Sequence, residues 1–157
     1  MKSRMFSIIA TAVFVLVVMY AGLGWWSHQP RFRATGLTDG RLAACPASPN
    51  CVCSEPEAAD DSKHSIRPLR LETGGKGAAW AAVVEVVRQI GGRIDTDSGT
   101  YLHATFVSRI FRFVDDLELR ADGESVQVRS ASRVGYSDLG ANRKRVESLR
   151  SKLQAAL

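Results

Sequence analysis

Phe6 to Trp26 reads FSIIATAVFVLVVMYAGLGWW, 21 residues without a charged side chain, and nothing else in the chain restricts its fold so tightly. At about 1.5 Å per residue, a helix of this run is long enough for a hydrocarbon core of roughly 30 Å. Backbone polar groups at that depth are satisfied only within a helix or a closed barrel. Trp25 and Trp26 mark an interface. The run is longer than the apolar region of a cleaved signal peptide, about 7–15 residues, and no small-x-small cleavage site follows it. It therefore reads as an uncleaved anchor. Lys2 and Arg4 precede it, and Arg31, Arg33 and Arg41 follow, so the positive-inside rule leaves the orientation open. The brevity of the 1–5 tip favours a cytoplasmic tip and an exported domain. That describes a single-pass inner (plasma) membrane protein with a periplasmic domain in the cell envelope.

Ser27 to Ala44 carries Pro30, Gly36 and Gly40 among polar and basic residues and reads as a linker. It ends in Leu42-Ala43-Ala44-Cys45, which imitates a lipoprotein processing box. A charged linker separates that box from the apolar run, so the processing reading fails. Residues 45–157 remain for one exported domain of about 110 residues, enough for a core. The pI near 9.4 invites a nucleic-acid reading, but the excess is uneven. Residues 1–44 hold five Lys and Arg against one Asp, and residues 45–157 hold sixteen against fifteen acidic residues. A nearly neutral domain speaks against nucleic acid as a partner.

Cys45, Cys51 and Cys53 lie within CPASPNCVC. An exported domain oxidises such cysteines, and a Cys45–Cys51 disulfide with Cys53 spare is the favoured reading. A metal site with His64, or a redox-active Cys51-Val52-Cys53, stays open as the sharper alternative. No paired C-x-x-C unit supports a metal, so neither metal nor cofactor is expected.

The rest predicts a domain of class α+β. His64–Glu72 reads as a strand. Gly77–Ile90 reads as a helix, with Trp80, Val83, Val84, Val87 and Ile90 on one stripe. Arg93–Thr96 and Thr100–Val107 follow as strands, the second with Leu102, Ala104 and Phe106 on one face and Tyr101, His103 and Thr105 on the other. In IFRFVDDLELR, Phe111, Phe113, Leu117 and Leu119 share a face with Asp115, while Asp116 points away with Arg112, Glu118 and Arg120. Asp122-Gly123 turns the chain into a last strand, Val126–Ala131. A final helix from about Leu139 sets Leu139, Asn142, Val146, Leu149 and Leu153 on one stripe. The expected architecture is an antiparallel sheet of about five strands, in the order β-α-β-β-β-β-α, with both helices on one face.

Chemistry concentrates in RSASRVGYSDLGANRKR, Arg129 to Arg145. Three placements in or near that stretch oppose local preference. Asp115 falls on a core face, where an unpaired carboxylate costs several kcal/mol. Asn142 lies on an apolar stripe, so its amide needs partners. Arg143-Lys144-Arg145 crowd cations into a helix start that already carries positive charge, which Asp138 could cap. Asp115, Asp116, Arg129, Ser130, Ser132, Arg133, Asp138, Asn142 and Arg143 are thus the candidate site. They either contact an anionic ligand through the loop and helix start, or form a structural network that locks strand, loop and helix together. His103 faces the solvent side of its strand, and with Asp116 and Ser132 it fits no triad order.

CPASPNC, HSIRPL, FVDDLELR and RSASRVGYSDLGANRKRVESLR together carry a resemblance. The chain is similar, over about Cys45 to Leu153, to the bacterial and plant family catalogued as domain-of-unknown-function family 1499. The resemblance implies a small envelope-associated or organelle-targeted protein and brings no established activity. Cys53 stands where that family's pattern has serine, which detaches any metal or redox role of the C-x-C pair from the family. The resulting expectation is a membrane-anchored, non-enzymatic binding or interaction module for an anionic ligand or protein partner. The alternatives are a hydrolase using Asp115 or Asp116 as base, and a purely structural network.

Overall fold

The computed structural model describes residues 2–29, 34, 36–55, 61–71 and 76–156. Its first element, α1 (Lys2–Ser27), is one helix whose Arg4–Ser27 portion contains an 18-residue stretch of mean hydropathy 2.4 and is long and apolar enough to cross a membrane. The tip expected at residues 1–5 is therefore helical from Lys2. Pro30, Arg31 and Arg33 of the expected linker lie outside the described residues.

Two further helices and eight strands follow among the described residues: β1 (Leu37–Thr38), β2 (Arg41–Leu42), β3 (Cys51–Cys53), β4 (Leu69–Arg70), α2 (Lys76–Gln89), β5 (Arg93–Asp97), β6 (Tyr101–Val107), β7 (Val114–Asp122), β8 (Ser125–Ser132) and α3 (Ala141–Ala156). β1 and β2 form a hairpin of their own. The others build an antiparallel sheet in the order β3-β8-β7-β6-β5, with β4 also on β8. The class is α+β as expected, but the sheet has six strands. The added strand is β3, in a segment whose prolines and Asn50 read as turns. Its register against β8, Cys51 opposite Ala131 and Cys53 opposite Arg129, draws it out, since pairing overrides local preference. The strand expected over His64–Glu72 shrinks to β4, with Ser65 bridging Cys53; Glu72 lies outside the described residues.

One face of the sheet is the core. Leu102 and Ala104 of β6, Leu117 and Leu119 of β7, and Val126 and Val128 of β8 are fully buried. Trp80, Val83, Val84 and Val87 of α2 and Val146, Leu149 and Leu153 of α3 cover them. Each such aliphatic side chain contributes about 1.5–3 kcal/mol on burial. Leu139 does not join that stripe: it is 87% exposed at φ 54°, and α3 starts two residues later. The strand alternation also begins later than its pattern suggests. Phe111 and Phe113 lie in a loop ahead of Val114, where Arg112 has left the extended region at φ 58°.

The second face was expected to meet solvent. Instead His103, Asp116 and Glu118 are 9%, 3% and 1% exposed. The stretch read as linker supplies the cover: β2 packs over β7 and β8, with Leu42 buried, and Ser27 at the end of α1 is buried beside Val114 and Arg133.

Candidate functional site

Asp115 is the residue from which the site is best built. Its register opposite Phe106 and Ser132 turns its side chain to the helix-covered face. There it meets Arg145 of α3 at 2.5 Å, and the guanidinium also lies 4.5 Å over the Phe106 ring. The counter-ion of Asp115 is thus Arg145, not Arg133 or Arg143. Arg145 sits three residues after Asn142, one helical turn along the same face.

Asn142 is fully buried and uses both ends of its amide. Its Oδ1 accepts from Ser130 Oγ at 2.7 Å and from Arg145. Its Nδ2 donates to the Asn50 carbonyl at 2.9 Å and to Ser132 Oγ at 3.0 Å. Asn50 in turn donates to the Gly135 carbonyl at 2.6 Å and accepts from the Ser132 amide at 2.9 Å. One asparagine therefore ties α3, β8 and the turn before β3 together. Asp138 receives the Gly140 and Asn142 amides at 3.0 and 2.7 Å, capping α3. Arg143 points elsewhere and donates to the Lys63 carbonyl at 3.0 Å.

The remaining candidates lie through the sheet, on its second face. Asp116 receives Arg133 Nε and Nη2, both at 2.8 Å, a two-pronged pair. His103 Nε2 stands 2.7 Å from the same carboxylate. Burial pushes the Asp116 carboxyl up, but Arg133 and His103 outweigh it and hold it below its ordinary value. Arg129 pairs with Glu118 at 2.9 Å, directly opposite in register, and Tyr101 donates to Glu118 at 2.8 Å. Burial first, and the Glu118 charge second, keep the phenol neutral by raising its pKa. Arg120 closes the row with two bonds to Glu55, at 2.9 and 3.0 Å. Among the described residues, Arg129 Nε is the one buried side-chain polar atom without a partner.

Arg133 does one thing more. Its Nη1 reaches the Ser27 carbonyl at 3.4 Å, at the negative end of α1. Ser27 Oγ accepts from the Val114 amide at 3.1 Å. Apart from Arg143, the candidates thus form two networks, one on each face of the sheet. From the sequence, Arg145 stands out only as one of three crowded cations, and Glu118, Glu55, Asn50 and Ser27 are not read as site residues. Arg145 was reachable from its spacing to Asn142; the rest depend on which segments fold over the second face.

The cysteines lie at the far edge. Cys45 and Cys51 are bonded, with Cα atoms 5.7 Å apart, and Cys53 is a buried free thiol. Burial raises the Cys53 pKa and keeps it a thiol, a poor nucleophile. Cys45, Cys53, Arg41, Glu55, Asp61 and His64 line part of an open cleft of about 480 Å³. His64 Nδ1 lies 2.6 Å from Asp61, and this bond, ahead of the Lys63 amide, lowers the Asp61 pKa. His64 Nε2 is spoken for by the Ser48 carbonyl at 3.1 Å. Among the described residues no three His, Cys, Asp or Glu side chains converge as a metal centre would require.

Fold and site together define a small α+β domain with helices on one face of its sheet and a buried ion-pair ladder on the other, joined to an apolar N-terminal helix. The chain belongs to the family described as "Protein of unknown function (DUF1499)", whose model matches residues 41–153, from β2 into α3. No curated protein matches it.

Proposed function

We propose that the protein is a single-pass membrane protein whose exported, envelope-facing domain is a non-enzymatic binding or interaction module. The observation that carries this reading is Arg133, which neutralises the buried Asp116 and reaches the last carbonyl of α1. A residue so engaged joins the domain to its anchor. Asp116, ionised and already accepting from Arg133 and His103, makes a poor general base, and Asp115 is occupied by Arg145. Both arrangements favour a module over a hydrolase. The Cys45–Cys51 disulfide suits an oxidising, exported compartment. Since Arg129 and Arg133 already have acidic partners, an anionic ligand or protein partner is best served by Arg143 and the exposed Lys144 at the start of α3.

Two variants separate the lock from the ligand contact. Arg133→Ala strands a buried carboxylate and should cost about 3–5 kcal/mol in chemical denaturation, whereas Arg133→Met with Asp116→Leu should recover most of that. Arg143→Ala should unfold at the wild-type temperature, yet lose any anion that native mass spectrometry finds on protein taken from its own membrane. If Arg133→Ala stays as stable as wild type and sheds a bound anion, the lock is wrong and Arg133 is a ligand contact.

A further inference from the structure

The loop between β6 and β7, residues 108–113, contains Ser108-Arg109-Ile110-Phe111-Arg112-Phe113. Among the described residues Ile110 is 81% exposed. Exposed Ile110 and half-buried Phe111 and Phe113, interleaved with the exposed Arg109 and Arg112, form an apolar patch of the kind that marks an interaction surface. The loop is also fixed against the apolar helix. The Phe111 ring lies 4.9 Å from that of Tyr20, and the Phe113 ring 6.4 Å. Gly24 is so near that a Cβ there would stand 1.7 Å from the Phe111 carbonyl oxygen. Arg112, in the left-handed region at φ 58°, turns its carbonyl to His28 Nε2 at 3.0 Å. Tyr20, Gly24 and Ser27 follow one another at helical spacing, so one face of α1 carries the whole contact.

Depth follows from that contact. Tyr20 lies six residues before Trp26, about 9 Å along a helix axis, and so falls inside the apolar span if the tryptophans mark its edge. A loop that touches Tyr20 shares its depth. We propose that the 108–113 loop is a second membrane contact, entering the lipid leaflet beside the C-terminal end of α1. Ile110, Phe111 and Phe113 sit among the acyl chains, and Arg109 and Arg112 reach back to the headgroup phosphates. The occupant of the apolar patch is lipid because the helix that defines the bilayer runs through it. β8 ends at the same end of the sheet, so the loop with Tyr136 and Leu139, 77% and 87% exposed, opens towards the same surface.

This inference rests on α1 spanning the bilayer, and two labelled positions keep the two apart. The full chain on a Cys53→Ser background carries an environment-sensitive fluorophore at Ile110→Cys or at Ala12→Cys, in vesicles of phosphatidylcholine and phosphatidylglycerol. Both positions are exposed, so neither label disturbs the core. The expected result is loss of emission at Ile110→Cys with lipid spin-labelled in the upper part of the acyl chains, and loss at Ala12→Cys with lipid spin-labelled deep in the acyl chains. Deep quenching at Ala12→Cys with an Ile110→Cys label that only aqueous iodide quenches overturns the loop insertion and leaves the anchor standing. An Ala12→Cys label that no lipid quenches removes the anchor and the inference with it.

Discussion

Asp116 shows how a single carboxylate sets a pH dependence. An unfolded aspartate titrates near 3.9, and Arg133 and His103 hold the folded group lower despite its burial. A depressed folded value means stability that is fully present above the unfolded value and lost as pH falls through the folded one. The wild-type protein should therefore lose stability progressively as pH drops below about 4. Asp116→Asn should be less stable at neutral pH and should show a shallower acid limb in denaturant titrations at several pH values. On the opposite face, Asn142→Ala removes the amide that serves Ser130, Ser132 and Asn50. Leaving a buried polar group unmet costs about 1–3 kcal/mol, and the loss should register as a lower denaturation midpoint with an unchanged slope.

At the scale of elements, the end of α1 and the start of β7 behave as one unit, joined by the Val114 amide on Ser27 Oγ and by Gly24 beneath the Phe111 backbone. Gly24→Leu has no room for its side chain. It should part helix from loop, and amide hydrogen exchange at Val114 should accelerate while exchange in β8 and α3 stays slow. A variant with Val114 still protected would show that the contact does not hold the loop. The disulfide acts on a smaller piece. It closes a loop of six residues' separation, so reduction should cost about 2 kcal/mol on the chain-entropy account. The loss should be local to β3, the strand that Cys51 opens.

Across the whole molecule, local patterns were legible and long-range coverings were not. The apolar run, the stripe of α2, the alternation of β6 and the inward turn of Asp115 all follow from period and composition, because each is decided within a few residues. The partner of Asp115 was missed because three cations stand together at 143–145, and only the helix register selects Arg145. The second face of the sheet was misread for a different reason. His103, Asp116 and Glu118 alternate as a solvent-facing row would, and their burial depends on β2 and Ser27, far away in the chain. Polar residues under a cover drawn from elsewhere have the same pattern as polar residues in water.

With α1 across a bilayer as proposed, the contact between Ser27 and the sheet would also govern how the protein meets bilayers of different thickness. A lone helix answers a thinner or thicker hydrocarbon layer by tilting. Here Ser27 is held by Val114 and Arg133, so tilt is not free to develop at the junction. Leaning the helix leans the sheet, and every surface the domain presents above the membrane swings with it.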